Sequence, residues 1–322
     1  MTRYLLRRLL LSLPILFGIT LITFAIIHLT PGGFSAVQME MNPKISPDSL
    51  ARLKELYGLD KPWPQQYAQW VGRLARLDFG RSFLDQRPVM SKIADRLPAT
   101  LLLSGLSLIV IFLLAVPLGV FSALRPNSRL DHTITVVTFI GYSLPAFWLA
   151  LLCMLFFGVV LDWLPISGLR SVNHDLLGTW EKLWDYISHL ILPVFITAFG
   201  GIASISRYTR GNMLEVVRQD YIRTALAKGL TFNRVYYVHA LRNALLPILT
   251  ILGLSLPGLI GGSFIFETIF AWPGMGRLAY ESALSFDYPT IMGIAVIGAF
   301  LTLLGNLLAD LLYAWADPRI RL

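Results

Sequence analysis

Hydrophobic and polar positions in this chain fall into long blocks rather than short alternations. Apolar runs occupy residues 9–30, 100–124, 134–161, 189–209, 245–270 and 290–315. Each is close to or above the roughly 20 residues that an α-helix needs to cross a hydrocarbon layer. The period-two alternation of a membrane barrel does not recur. The pattern predicts an all-α integral membrane protein with six transmembrane helices. Gly200, Gly201 and several Ser and Thr dilute the fourth run; such residues suit close helix–helix contact better than lipid.

The longest polar block, Pro31–Leu97, has a helical rhythm of its own. In "SPDSLARLKELYGLD", Ser46 is placed to cap a helix, Pro47 sits in its first turn, Leu50, Leu53 and Leu56 recur at helical spacing and Gly58 is a stop. "PWPQQYAQWVGRLARLDFG" continues with Tyr67, Trp70, Val71 and Leu74. The expected organisation is a first transmembrane helix at 1–30, a helical insertion at 31–97 and a core at 98–322 carrying helices two to six and a polar loop at 211–243. The insertion reads either as a solvated connector or as a docking or gating surface.

Composition agrees with this class. The 322 residues are 55% hydrophobic and 14% charged, against about 25% charged in soluble domains, and mean hydropathy is +0.64. The net charge of +8 is read as orientation rather than as affinity for nucleic acid. Arg3, Arg7 and Arg8, then Arg125 and Arg129, then the basic residues from Arg207 to Arg242, and finally Arg319 and Arg321 fall on one side, whereas the short opposite loops hold Arg170, Lys182 and Arg277. The positive-inside rule then puts both termini in the cytoplasm and Pro31–Leu97 outside, as a long loop that escapes the rule. Leu9–Leu29 is too long for a signal h-region and has no small-residue cleavage site, so it is expected to stay as the first helix. Cys153 is the single cysteine and can form no intrachain disulfide.

Catalytic and cofactor motifs are missing. No G-x-x-x-x-G-K-[ST] phosphate loop occurs, and the dipeptide Gly-Lys is not present. Neither H-E-x-x-H, a Cys cluster nor G-x-S-x-G is found, and His28, His132, His174, His189 and His239 are scattered. No catalytic, cofactor or metal site is therefore assigned, and an embedded enzyme would have no paired groups to work with.

The chemistry that remains lies in a loop and in interrupted helices. "EVVRQDYIRTALAKGLTFNRV", Glu215–Val235, places Val217, Tyr221, Ala225 and Lys228 at helical spacing, widened by Ile222 and Leu226. Gly229 can take the left-handed conformation that ends a helix, and Thr231 or Asn233 can cap a second one. Such a hairpin fits either an anionic lipid surface or the groove of a cytoplasmic partner. Among the helices, Pro145 interrupts "GYSLPAF", where Ser143 can satisfy backbone groups, and Pro257, Gly258, Gly261 and Gly262 interrupt the fifth run. A freed carbonyl is tolerated at membrane depth only inside protein or beside water, so these four and Pro145 are candidates for the wall of a path. Glu267 is expected to pair with Arg277, with contact to a substrate amine as the alternative. Trp272, suited to a membrane interface, and Gly274, in a turn with Pro273 and Gly276, are candidates for an outer gate.

"DYIRTALAKGL…VHALRNALLP" resembles the cytoplasmic loop of permease subunits of bacterial ATP-binding-cassette importers, in which an EAA–x3–G element forms a coupling helix. Arg223-Thr224-Ala225, three residues, then Gly229 is the matching element. Arg223 in place of Glu, and Arg242 in place of Pro, resemble the dipeptide/oligopeptide/nickel subfamily. "LRRLLLSLPILFGITLITFAIIHLTPG", "GLDKPWPQQYAQW", "GYSLPAFW", "ETIFAWPGMGR" and "DPRIR" are similar to that subfamily in the same order, closest to the first of the two permeases of a dipeptide-type importer. The resemblance implies a type I importer permease fold. It implies a second, homologous permease, two ATPase subunits that bind ATP and Mg in place of this chain, an extracytoplasmic solute-binding protein, and surrounding membrane lipid. It also implies ATPase coupling through Tyr221, Arg223, Thr224, Ala225, Lys228 and Gly229. Import of nickel or another small solute, an ion-coupled secondary transporter, and a non-transporting receptor are the alternatives.

Overall fold

The computed structural model describes residues 2–29 and 60–316; the expected helix over 46–58 and the closing Arg319 and Arg321 lie outside them. The elements in order are α1 (Thr2–Leu29), α2 (Trp63–Leu74), α3 (Val89–Leu124), α4 (Arg129–Ser143), α5 (Ala146–Cys153), α6 (Thr179–Val217), α7 (Asp220–Ala227), α8 (Phe232–Ala244), α9 (Leu246–Ser255), α10 (Phe264–Ile269), α11 (Met275–Leu284) and α12 (Tyr288–Ala316). Among the described residues no strand forms. Residues 1–97 with 278–307 make one compact unit, and 98–277 with 308–321 another.

Among the described residues three helices are long and apolar enough to cross a bilayer: Val89–Leu124, Thr179–Val217 and Tyr288–Asp310. Two bent pairs raise the number to at most five, and α1 adds the shorter apolar stretch Leu10–Ile26. The third expected run is one of the bent pairs. Arg129–Gly141 and Ala146–Val160 meet at 101°. The cause is local: the residue before a proline is driven out of the helical region, and Leu144 is extended at φ −89°, ψ 132°. Ser143 Oγ donates to the Phe139 carbonyl at 2.9 Å, in line with the compensation expected there. The other pair, Phe232–Ala244 and Leu246–Gly261, bends by 44°. The fifth run thus ends at Gly261 rather than 270. Gly262, at φ 62° and ψ −177°, occupies a region of backbone space essentially reserved for glycine.

In the first unit, Phe24 of α1 and Trp70 of α2 are buried with Met292, and Tyr67, Val71 and Leu74 pack against them. The helical spacing of 67–74 is therefore the α2 face turned to α1. Tyr67 Oη lies 2.9 Å from Thr20 Oγ1, and His28 Nε2 lies 2.9 Å from Gln66 Oε1. Just before α12, Asp287 is fully buried. It accepts from Ser82 Oγ at 2.5 Å, the Phe83 N–H at 2.9 Å and Thr290 Oγ1 at 2.6 Å, and Lys92 Nζ stands 3.3 Å away. Removing one member of a buried ion pair strands the other. Lys92→Met is accordingly expected to cost about 3–5 kcal/mol, measured as a lower melting temperature in detergent.

The second unit is built on close helix crossings. A Cβ at Gly119 of α3 would stand 2.5 Å from Thr209 Cβ of α6, and one at Gly201 of α6 would stand 2.4 Å from Ile111 Cδ1. Gly201, read from sequence as a packing residue, thus sits at such a crossing. Ala150 and Cys153 of α5 are buried against Leu192 and Ile196 of α6 and Phe270. Near the start of α6, Asp185 draws in two of the scattered histidines. His174 Nδ1 lies 2.6 Å from its Oδ2, and His189 Nδ1 2.7 Å from its backbone carbonyl. Ser171 donates both its N–H and its hydroxyl to the same carboxylate, so Asp185 fixes the 171–174 loop.

Candidate functional site

The polar loop folds as a short helix held on an apolar seat. α7 begins after Gln219, which is extended at φ −74°, ψ 150°, and Asp220 lies in its first turn, where a carboxylate suits the helix dipole. It ends in a Schellman motif. Gly229, at φ 80°, donates its N–H to the Leu226 carbonyl at 2.9 Å, and Leu230 donates to the Ala225 carbonyl at 3.3 Å. These two bonds satisfy carbonyls that a helix end otherwise leaves open. Ile222 is 1% exposed and joins Val120 and Ala123 of α3, Met213 and Val216 of α6, and Val235, Ala240 and Ala244 of α8. Ala225, Val217 and Leu230 pack on this cluster.

The opposite face is open. Tyr221 is 38% and Leu226 41% exposed, and Arg223, Thr224, Lys228 and Gly229 are exposed as well. The stripe anticipated from spacing is therefore divided: Ile222 and Ala225 face inward, while Tyr221, Leu226 and Lys228 do not. Arg223 lies 3.9 Å from Asp220, both side chains in solvent, and such a pair contributes little. Thr224 Oγ1 donates to the Asp220 carbonyl at 2.9 Å, within its own helix. Tyr221 Oη accepts from Asn243 Nδ2 at 2.8 Å, which ties α7 to α8. The loop thus offers a mixed aromatic, apolar and basic surface on a rigid support. Thr231 opens α8 with no side-chain cap bond.

The path and gate candidates separate into three groups. Pro145 marks the break between α4 and α5. Pro257, lacking an N–H, interrupts the bonding after α9, and the chain continues with i→i+3 bonds such as Leu259 N–H to the Leu256 carbonyl at 3.1 Å. A Cβ at Gly258 or Gly261 would meet nothing within 4 Å in this chain. Gly262, Glu267, Trp272 and Gly274 instead form one buried knot. Glu267 is fully buried; Thr100 donates its hydroxyl to Oε1 at 3.0 Å and Arg277 its backbone N–H to Oε2 at 2.8 Å. What reaches Glu267 from position 277 in this bond is the main chain, where a side-chain pair was expected. Thr100 Oγ1 in turn accepts the Met275 N–H at 2.7 Å. Trp272 is also fully buried and donates Nε1–H to the Ala99 carbonyl at 2.9 Å. A Cβ on Gly262 or Gly274 would lie 2.3 or 2.4 Å from the Glu267 carboxyl, so both glycines leave room for that side chain.

Three partners in these sites escaped sequence reading. Ile222 looked like one of several apolar residues on a stripe, and only the tertiary seat singles it out. Asn243 stood inside a quoted motif but carried no role. Thr100 is 167 positions from Glu267, and no local pattern links the two.

A helical chain of apolar spans with an exposed polar hairpin on an apolar seat has the architecture of a multi-pass membrane protein. Residues 115–322 match the family described as binding-protein-dependent transport system inner membrane component, and residues 1–104 match the N-terminal domain of such components. The chain belongs to this family. It is 46% identical to the oligopeptide transport system permease protein AppB of Bacillus subtilis (strain 168), over 99% of both chains. It is 40% identical to the dipeptide transport system permease protein DppB of Alkalihalophilus pseudofirmus over the whole of both chains, and 38% identical to DppB of Escherichia coli (strain K12) over 100% of this chain and 99% of that one. In fold it is similar to a chain of the inward-facing MetNI methionine ABC transporter, with a TM-score of 0.55 and 19% identity over 71% of this chain and 97% of that one. The type I importer permease fold is thereby established.

Proposed function

We propose that this chain is one of two permease subunits of an ATP-driven importer of dipeptides or oligopeptides, resident in the bacterial inner membrane. The observation that carries the reading is the 46% identity, along the full length of both chains, to an oligopeptide permease. The chain forms half of the path and hydrolyses nothing itself; ATP and Mg are bound by two ATPase subunits. A second, homologous permease completes the path, and a solute-binding protein delivers peptide to the outer face. Both termini and the 211–243 loop lie in the cytoplasm, and residues 31–97 lie outside.

Coupling runs through residues 215–229. Tyr221, Arg223, Thr224, Lys228 and the close-approach position Gly229 meet the ATPase, while Ile222 and Ala225, which was expected on the docking face, anchor the helix to the permease body. Exposure of Tyr221 and Leu226 on a seated, capped helix supports this division, because a docking element transmits force only if its base does not yield. Pro145, Pro257, Gly258 and Gly261 belong to the wall of the path, the two glycines offering a side-chain-free surface.

The test is uptake by liposomes holding the chain with a homologous second permease and two ATPase subunits, supplied with the solute-binding protein. Labelled dipeptide should accumulate with ATP and Mg and not with a non-hydrolysable analogue. Accumulation driven by an ion gradient without nucleotide would refute the reading. Nickel uptake in place of peptide would refute its substrate class.

A further inference from the structure

One carboxylate ties together the ends of three helices beside the coupling hairpin. Asp131, in the first turn of α4, is 3% exposed. Arg210 of α6 grips it with both arms of the guanidinium, Nε to Oδ1 and Nη2 to Oδ2, each at 2.9 Å. Ser122 of α3 donates its hydroxyl to Oδ1. The Asn127 N–H donates to Oδ2 at 3.0 Å, from a residue held at φ 62° in the turn that joins α3 to α4. The carboxylate's oxygens thus face donors from α3, from α6 and from the intervening turn.

The position of this node matters more than its number of bonds. Gly119 and Thr209, at a close crossing of α3 and α6, stand three residues before Ser122 and one before Arg210. Val120 and Ala123 flank Ser122, and Met213 and Val216 follow Arg210 at three and six residues. These four side chains, with Val235, Ala240 and Ala244 of α8, form the apolar seat on which Ile222 of α7 rests. A push on α7 is therefore received by the last turns of α3 and α6 together with α8. Asp131 links α4 to those turns, and α4 leads straight to the 101° bend at Pro145. A bidentate pair fixes orientation as well as distance, so α4 follows the other two helices instead of swinging on the 125–128 turn.

We propose that Asp131, through Arg210, is a positioning residue that makes α4 move as one body with α3 and α6 when the coupling helix is displaced. The inference rests on the importer reading above. Its readout is peptide taken up per ATP hydrolysed by the complete reconstituted importer, since a merely structural role would lower uptake, hydrolysis and abundance in proportion. Asp131→Asn should assemble and hydrolyse ATP while the ratio falls about ten-fold, the size of coupling losses seen along such networks. Arg210→Lys keeps the charge but loses the two-armed grip and should fall part of the way; it also decides the matter if Asp131→Asn does not accumulate in the membrane. A ratio in both variants within about two-fold of the parent, or proportional loss of hydrolysis and uptake, overturns the proposal. A parent importer without ATP-dependent uptake would instead defeat the importer reading, so the two failures are distinguishable.

Discussion

Replacing Gly229 by valine or aspartate is expected to leave the protein inserted and its ATPase partners active, while peptide uptake falls at least about ten-fold, a coupling change of about 1.4 kcal/mol. Two features of the helix end produce this result. The residue holds φ at 80°, a left-handed conformation that costs a residue with a Cβ roughly 1–2 kcal/mol. The two bonds closing the helix depend on it: Gly229 N–H to Leu226 and Leu230 N–H to Ala225. Yet a Cβ there would meet nothing within 4 Å of this chain, so the permease itself has space for the larger residue. The damage falls on whatever approaches the exposed end of α7. Gly229→Asn separates strain from clearance, because Asn tolerates the left-handed region. If Asn transports normally while valine does not, the position matters as a cap. If both uncouple, it matters as a close contact with the ATPase. Normal uptake with all three substitutions would remove Gly229 from the coupling surface.

That the hairpin was foreseeable, and its seat was not, follows from the range of the forces involved. A glycine after a helical run, Lys at the helix end and proline at the start of the next span act within a few residues, so "LAKGL" reveals its turn directly. Which side of α7 faces inward depends on Val120, Met213 and Val235, all distant in sequence, and periodicity alone admitted Tyr221 as readily as Ile222. The apolar runs were visible for a similar reason, since a bilayer demands length and composition from each helix separately. Hydropathy does not register a break that keeps the composition apolar. The 101° turn at Pro145 and the end of the fifth span at Gly262 therefore emerged only from backbone geometry, although Pro145 and Gly262 themselves had been singled out. Buried polar partners were hidden most deeply. Asp131 with Arg210 and Glu267 with Thr100 are joined across 79 and 167 positions, and no residue type at one end announces the other.

Glu267→Ala is expected to produce a large loss of stability in the second unit. The side chain is fully buried and accepts from Thr100 Oγ1 and the Arg277 N–H. Truncation orphans both donors, at about 1–3 kcal/mol for each, and leaves a void walled by Gly262 and Gly274, whose missing side chains cannot fill it. Against a total stability of about 5–15 kcal/mol, this is enough to deplete assembled permease. Glu267→Gln preserves shape and one carbonyl oxygen, so it should cost about half as much, with its oxygen turned to the Arg277 amide and its NH2 towards the Thr100 hydroxyl, which can also accept. Gly274→Ala attacks the same knot from outside, since its Cβ would stand 2.4 Å from the carboxyl carbon, and should resemble Glu267→Ala. Melting temperature in detergent and uptake per assembled complex divide the two roles open to Glu267. Ordered melting losses with uptake per complex preserved identify a structural knot that holds the segment after Gly262 to Ala99 and Thr100. Unchanged melting with lost uptake would assign the carboxylate to the path instead, and the knot would then have no mechanical importance.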